Sequence, residues 1–171
     1  RPCDGVETAE CWEIALRNKT RPSLMALSRQ GLPTVRGDSK DNLSARGGYV
    51  LAEADKKRDV TLMATGSEVS IALEARATLA GLGINAAVVS MPCFELFEEQ
   101  PDKYRAEVLG AAPRIAIEAG IRQSWDRYLG EKGAFIGMKS FGVSAPAEKL
   151  FEYFGITAPK IVEKAKLLLG K

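Results

Sequence analysis

Apolar residues fall in short runs separated by polar, glycine-containing turns, and between the runs they recur at helical spacing. The clearest stretch is 59–79, DVTLMATGSEVSIALEARATL. Val60-Thr61-Leu62-Met63-Ala64 is short, apolar and β-branched at its start, which predicts a strand covered on both faces. Gly66 can take the backbone angles of a sharp strand-to-helix turn. Ser67 is expected to cap the helix, and Glu68 follows in the first turn, where a carboxylate favours the helix dipole. Val69, Ala72, Leu73 and Ala75, with Ala77 and Leu79 beyond, form a small, apolar stripe. After Gly81-Leu82-Gly83 a second strand is predicted over Ile84–Ser90. This is one βαβ unit, the seed of a parallel α/β sheet.

The same pattern extends in both directions. Residues 1–18 read as a helix, with Asp4 and Glu7 spaced as in a capping box. Pro22 opens an expected strand over Ser23–Ser28, which has no evident partner. Ser28–Gly48 is a polar, glycine-containing connector that marks the expected domain boundary, dividing the chain into 1–40 and 41–171. Tyr49–Ala54 is an expected strand, joined by so few residues to 60–64 that the two are expected to pair antiparallel. Further on come a short helix from Phe94 and a second over Asp102–Leu109. Then follow a strand over Arg114–Ala119, a helix over Ser124–Leu129 and a strand over Ala134–Met138. The last two helices span Ala145–Phe154, closed by Gly155, and Pro159–Leu169, with Thr157 as its cap. The expected fold is α/β: a Rossmann-like three-layer sandwich with about five strands, mostly parallel, and one antiparallel edge strand.

Composition narrows the function. At 171 residues, 46% hydrophobic and 27% charged, the chain reads as globular. Lys and Arg number 24 against 22 Asp and Glu, a net charge of +2, too balanced to point to nucleic acid or an acidic membrane. No apolar run approaches the roughly 20 residues of a membrane span. Arg1 rather than Met opens the sequence and no signal-peptide pattern follows; the expectation is a fragment, or a chain whose front part is not represented. Cys3, Cys11 and Cys93 form no metal or redox motif and are expected to be free thiols in a reducing cytosol. The chain has no His at all. A Ser-His-Asp or Cys-His nucleophile system therefore cannot be built within it, and the commonest transition-metal ligand is missing.

Four places are candidates for chemistry. The turn Thr65-Gly66-Ser67-Glu68 offers helix N–H groups to an anion, but it has no GxGxxG or Walker lysine and Glu68 would repel a phosphate; a plain helix turn is the alternative. Ser28-Arg29-Gln30 follows an expected strand, where α/β sheets expose ligands, and Arg29 is a fork suited to phosphate. Glu118 ends a buried strand and is either functional or bonded to local amides. Arg122, Trp125, Asp126 and Arg127 read as an exposed patch fit for an interface, or as a solvated face. Phe141, Phe151, Tyr153 and Phe154 are expected in the core rather than on a stacking surface.

Several long strings are more specific than these motifs. DGVETAECW (4–12), ALSRQGLP (26–33), TLMATGSEVSIALEA (61–75), VVSMPCFELFEEQ (88–100) and EAGIRQSWDRYLGEKGAFIGMKSFGVSAPAEKLFEYFGIT (118–157) closely resemble transketolase. The resemblance implies the end of the pyrimidine-binding domain in 1–40 and the C-terminal domain in 41–171. It implies an enzyme, a transferase of the pentose phosphate pathway with the Calvin cycle as an open setting. That enzyme passes a two-carbon ketol unit from a ketose phosphate to an aldose phosphate, using thiamine diphosphate and Mg2+ or another divalent metal. A cytoplasmic homodimer is implied. Its Ser-Arg-Gln motif matches Ser28-Arg29-Gln30 and assigns sugar-phosphate binding to Arg29; Gly31 stands where the family usually has Asn. No catalytic, cofactor or metal residue carries over, since those motifs lie upstream, so the chain alone is expected to be inactive and to support structure and dimer. The alternative is a regulatory or interaction module that binds a small anion or a partner. A related thiamine enzyme such as 1-deoxyxylulose-5-phosphate synthase or a 2-oxo-acid dehydrogenase component fits less well, because ECWEIAL and SRQ argue against it.

Overall fold

The computed structural model describes residues 1–37 and 40–171. Asp38 and Ser39, which belong to the expected connector and to the expected first domain, lie outside the described residues. The chain opens with helix α1 (Gly5–Arg17); residues 18–37 have no regular structure, and a 3-10 turn spans Leu43–Arg46. The sheet then begins with β1 (Tyr49–Ala52), β2 (Val60–Ala64), α2 (Glu68–Gly81) and β3 (Ala86–Ser90). Helices α3 (Phe94–Glu98) and α4 (Asp102–Leu109) lead to β4 (Arg114–Glu118). A 3-10 turn, Arg122–Trp125, runs into α5 (Asp126–Leu129), and β5 (Ala134–Gly137), α6 (Ala147–Phe154) and α7 (Ala158–Leu169) complete the chain.

The five strands form one sheet in the order β1-β3-β2-β4-β5, parallel except for β1. Every residue of β2 and β3 is buried, as expected of central strands with helices on both faces. Alternation along β2 divides the core. Leu62 and Ala64 face α2 and α7 with Val69, Ala72, Ile161 and Ala165, while Met63 faces the other layer with Phe97, Trp125 and Tyr128. The three-layer α/β sandwich is therefore present, with its antiparallel strand at an edge.

The partner of that edge strand is different from the one expected. β1 pairs with β3, Tyr49 opposite Ser90 and Val50 opposite Val89, and not with β2. Both edges of β2 are already occupied by parallel neighbours, β3 and β4, so the short 53–59 connection carries the chain past β3. The expected strand 23–28 is absent. A strand needs a laddered neighbour, and the described residues supply none. Leu24 is 94% exposed there and Leu27 55%.

The expected caps are partly different as well. Asp4 Oδ1 accepts from Glu7 N, half of the capping box, but Glu7 reaches one residue further back and accepts from Cys3 N at 2.6 Å. Ser67 is helical and makes no side-chain cap, and Thr157 makes none either. Gly66 has φ +59, the turn geometry for which glycine is expected.

Candidate functional site

The C-terminal ends of β2 and β4 meet at a node of charge. Arg1 Nη1 donates to Glu118 Oε1 at 2.5 Å, and Arg1 Nη2 to Glu68 Oε2 at 3.1 Å. The other oxygen of Glu118 accepts from Trp125 Nε1 at 2.7 Å, and that of Glu68 from Ala119 N at 3.1 Å. Arg1 O accepts from Gly66 N and Thr65 Oγ1. Glu68 is fully buried, and burial pushes its carboxyl above the usual carboxylate range despite Arg1 and two backbone amides. All four carboxylate oxygens of the pair thus face protein donors.

This arrangement decides between the readings of several sequence candidates. The turn 65–68 presents a buried carboxylate and spends Gly66 N on Arg1, so it has the character of the plain turn rather than an anion pocket. Glu118 bonds Arg1 and Trp125 instead of local amides. Trp125 is not part of an exposed patch: it is fully buried, edge-on to Phe94 at 4.8 Å, because its indole supplies the donor that Glu118 needs inside the second core layer. Arg122 and Asp126 remain outside and pair with each other at 2.6 Å. Of the four aromatics expected in the core, Phe151 and Phe154 pack against it, but Phe141 is 96% exposed and Tyr153 73%. Phe141 lies in a loop past β5, and Tyr153 on the outward side of α6.

Two cavities flank the node, and Arg1 and Ala26 line both. The first, about 500 Å³, lies between α1, residues 21–26 and the start of α3. The second, about 460 Å³, has Ser28, Arg29 and Gln30 on one side and apolar side chains of α6, including Leu150, Phe151 and Phe154, on the other. Arg29 is exposed, and among the described residues it has no hydrogen-bond or ion-pair partner. It is a free, always-charged fork at the rim of a cavity.

A set of buried acids on α1 goes beyond the helix cap expected there. Asp4, Glu7 and Glu10 follow one another at three-residue intervals, the spacing that places side chains on one helix face. Glu7 Oε1 accepts from Tyr49 Oη at 2.7 Å and Ser90 Oγ at 2.5 Å, joining α1 to the antiparallel edge of the sheet. Glu10 Oε2 accepts from Ser44 N and Oγ and lies 2.6 Å from Arg36 Nη1. The Arg36 guanidinium also stands over the Tyr49 ring at 5.2 Å. Asp4 Oδ2 accepts from Val35 N at 3.0 Å and Arg36 N at 3.1 Å. The three-residue acidic period is the signal of this set in the sequence, and a capping box alone does not account for Glu10.

Cys3, Cys11 and Cys93 are free thiols. Burial pushes all three up, Cys11 to about 11, which makes them poor nucleophiles. Among the described residues no group of three or more His, Cys, Asp or Glu is placed to hold a metal ion, and the carboxylates of Glu7, Glu68 and Glu118 are engaged by protein donors. Among the described residues, then, the acidic side chains are not grouped as a divalent metal would require. No helix among the described residues is long and apolar enough to cross a membrane.

Comparison with known proteins gives a consistent result. The family model of the transketolase-like TK C-terminal domain matches residues 47–157. The transketolase of Cereibacter sphaeroides is 57% identical over 97% of this chain and 25% of its own length, and that of Sinorhizobium medicae 58% over 100% and 25%. The solved Pichia stipitis transketolase, in complex with sedoheptulose 7-phosphate, superposes with a TM-score of 0.91 at 34% identity over 99% of this chain and 25% of its own. The chain spans about a quarter of the length of the curated relatives it matches.

Proposed function

The chain belongs to the transketolase family through its C-terminal domain, and from that premise we propose that it serves a transferase that moves a two-carbon ketol unit from a ketose phosphate to an aldose phosphate. The observation that carries this reading is Arg29: an exposed, unpaired guanidinium among the described residues, on a segment that crosses the C-terminal edge of the sheet. Its role is to hold the substrate's phosphate by a forked, charge-assisted contact. The sedoheptulose 7-phosphate bound to the Pichia stipitis transketolase is a ligand of that phosphorylated ketose class.

Residues 1–40 are the tail of the pyrimidine-binding domain and 41–171 the C-terminal domain. The strand-like run 23–28, unpaired here, joins a sheet of that preceding domain. Thiamine diphosphate and the divalent metal are held by segments outside this sequence. The intact enzyme is a cytoplasmic homodimer of the pentose phosphate pathway.

Arg29→Ala in the intact enzyme tests the assignment. It is expected to lower kcat/KM for phosphorylated substrates by at least about tenfold, the scale of one charge-assisted contact, while leaving unphosphorylated substrates unchanged. An equal fall for both classes would contradict it.

A further inference from the structure

We infer that the loop 139–146 is the surface through which the C-terminal domain docks on the part of the polypeptide that precedes Arg1, with Phe141 as its anchor; this rests on the reading above that 23–28 pairs in a sheet of that preceding part. β5 delivers the loop to the C-terminal edge of the sheet. Gly137, the last residue of the strand, stands opposite Glu118, and Met138 N donates to Gly120 O at 2.9 Å. From there residues 139–146 run without regular structure, and every one of them is exposed. The stretch 140–147, SFGVSAPA, carries no charge. Phe141 is 96% exposed and Val143 55%, and Ile121, beside the turn that holds Met138, is 59% exposed. Apolar residues scattered singly are ordinary on a surface, but a cluster marks a contact, and an exposed aromatic within it has the character of an interface anchor.

What lies across the cavity identifies the occupant. Gly142 and Val143 line the cavity of about 460 Å³ on one side, and Leu27 and Ser28 on the other. The run 23–28 is equally bare, with Leu24 94% exposed and no laddered neighbour among the described residues. A strand that pairs with it stands about 4.8 Å away, and a layer packed on that sheet about 10 Å. Both distances are within reach of side chains that share the cavity wall. The two bare surfaces are therefore continuous, and one body covers both. This chain spans 25% of the relatives it matches, which leaves the larger part of the polypeptide to supply that body. A second copy would cover Phe141 without completing the sheet at 23–28.

The test is made on the intact enzyme with the photoreactive p-benzoylphenylalanine in place of Phe141, co-assembled with an excess of isotopically heavy enzyme that lacks the probe. Phe141 is almost fully exposed in this chain, so the substitution leaves the domain's own packing in place. Irradiation is expected to join position 141 chiefly to light peptides that precede Arg1. Joining chiefly to heavy peptides would put a second copy on the loop, and no product, or products confined to residues 1–171, would leave it in solvent; each overturns the inference. The same probe at Leu24 reports on the premise alone. If position 24 reaches the preceding part and position 141 does not, the inference falls while the reading of 23–28 stands; if neither does, both fall. Hydroxyl-radical labelling of the unsubstituted protein supplies a second measurement. Phe141 is expected to oxidise several-fold more slowly in the intact enzyme than in the 171-residue chain, and equal rates would overturn the inference.

Discussion

Glu118 and Trp125 lie seven positions apart and are joined by a 2.7 Å hydrogen bond from the indole Nε1 to Oε2. This contact turns what looks like a surface tryptophan into a core residue. It also leaves Glu118 free to hold Arg1 with its second oxygen. Trp125→Phe keeps most of the buried ring and removes the donor. It is expected to cost about 1–3 kcal/mol, the penalty of a buried acceptor deprived of its partner, read as a lower urea midpoint at unchanged slope.

Glu7 is the larger structural risk. Its carboxylate receives Cys3 N, Tyr49 Oη and Ser90 Oγ. Glu7→Ala strands all three donors in a dry space and opens a cavity, so a loss on the order of 3 kcal/mol or more is expected. Tyr49→Phe and Ser90→Ala, which each remove one donor, should cost clearly less by the same urea titration.

Gly66→Ala strains the turn twice. The position has φ +59, and an added Cβ would stand 3.2–3.4 Å from the Arg1 guanidinium. The backbone cost alone is about 1–2 kcal/mol. Thermal unfolding should show the loss, and Arg1→Ala should relieve only the steric part of it.

Glu68 gives a pH signature of defined sign. Burial raises its pKa above the ordinary carboxylate value, so the folded protein binds this proton more tightly than the unfolded chain. Its contribution to stability is therefore complete below the unfolded value and declines as pH rises through the raised one. Glu68→Gln cannot titrate. The stability of the native protein relative to this variant should fall as pH rises from about 4 towards neutrality, measured by urea midpoints at each pH. A difference that grows with pH would contradict the burial argument.

Much of the domain is legible in the sequence because its elements are locally encoded. The apolar run 60–64, the strand 86–90 and Gly66 each carry the signal for their own geometry. What the chain does not disclose are relationships between distant residues. The pairing of Tyr49 with Ser90, rather than with a residue of 60–64, depends on both edges of β2 being taken. The burial of Trp125 depends on Glu118, and that of Glu7 on Tyr49 and Ser90. The strand signal at 23–28 is local too, but a ladder requires a neighbour that these residues do not provide. Arg29 stands out through the resemblance of Ser28-Arg29-Gln30 to a family motif, and its lack of a partner among the described residues is what a ligand-binding guanidinium requires.

On the proposed reading, the chain contributes a phosphate-binding arginine and a folded domain to a reaction whose other groups lie elsewhere, and it should do no chemistry by itself. The most direct measurement is turnover by the purified 171-residue chain, folded by circular dichroism, with xylulose 5-phosphate, ribose 5-phosphate, thiamine diphosphate and magnesium. No ketol transfer above the blank is expected; sustained turnover by this chain alone would contradict that division of labour.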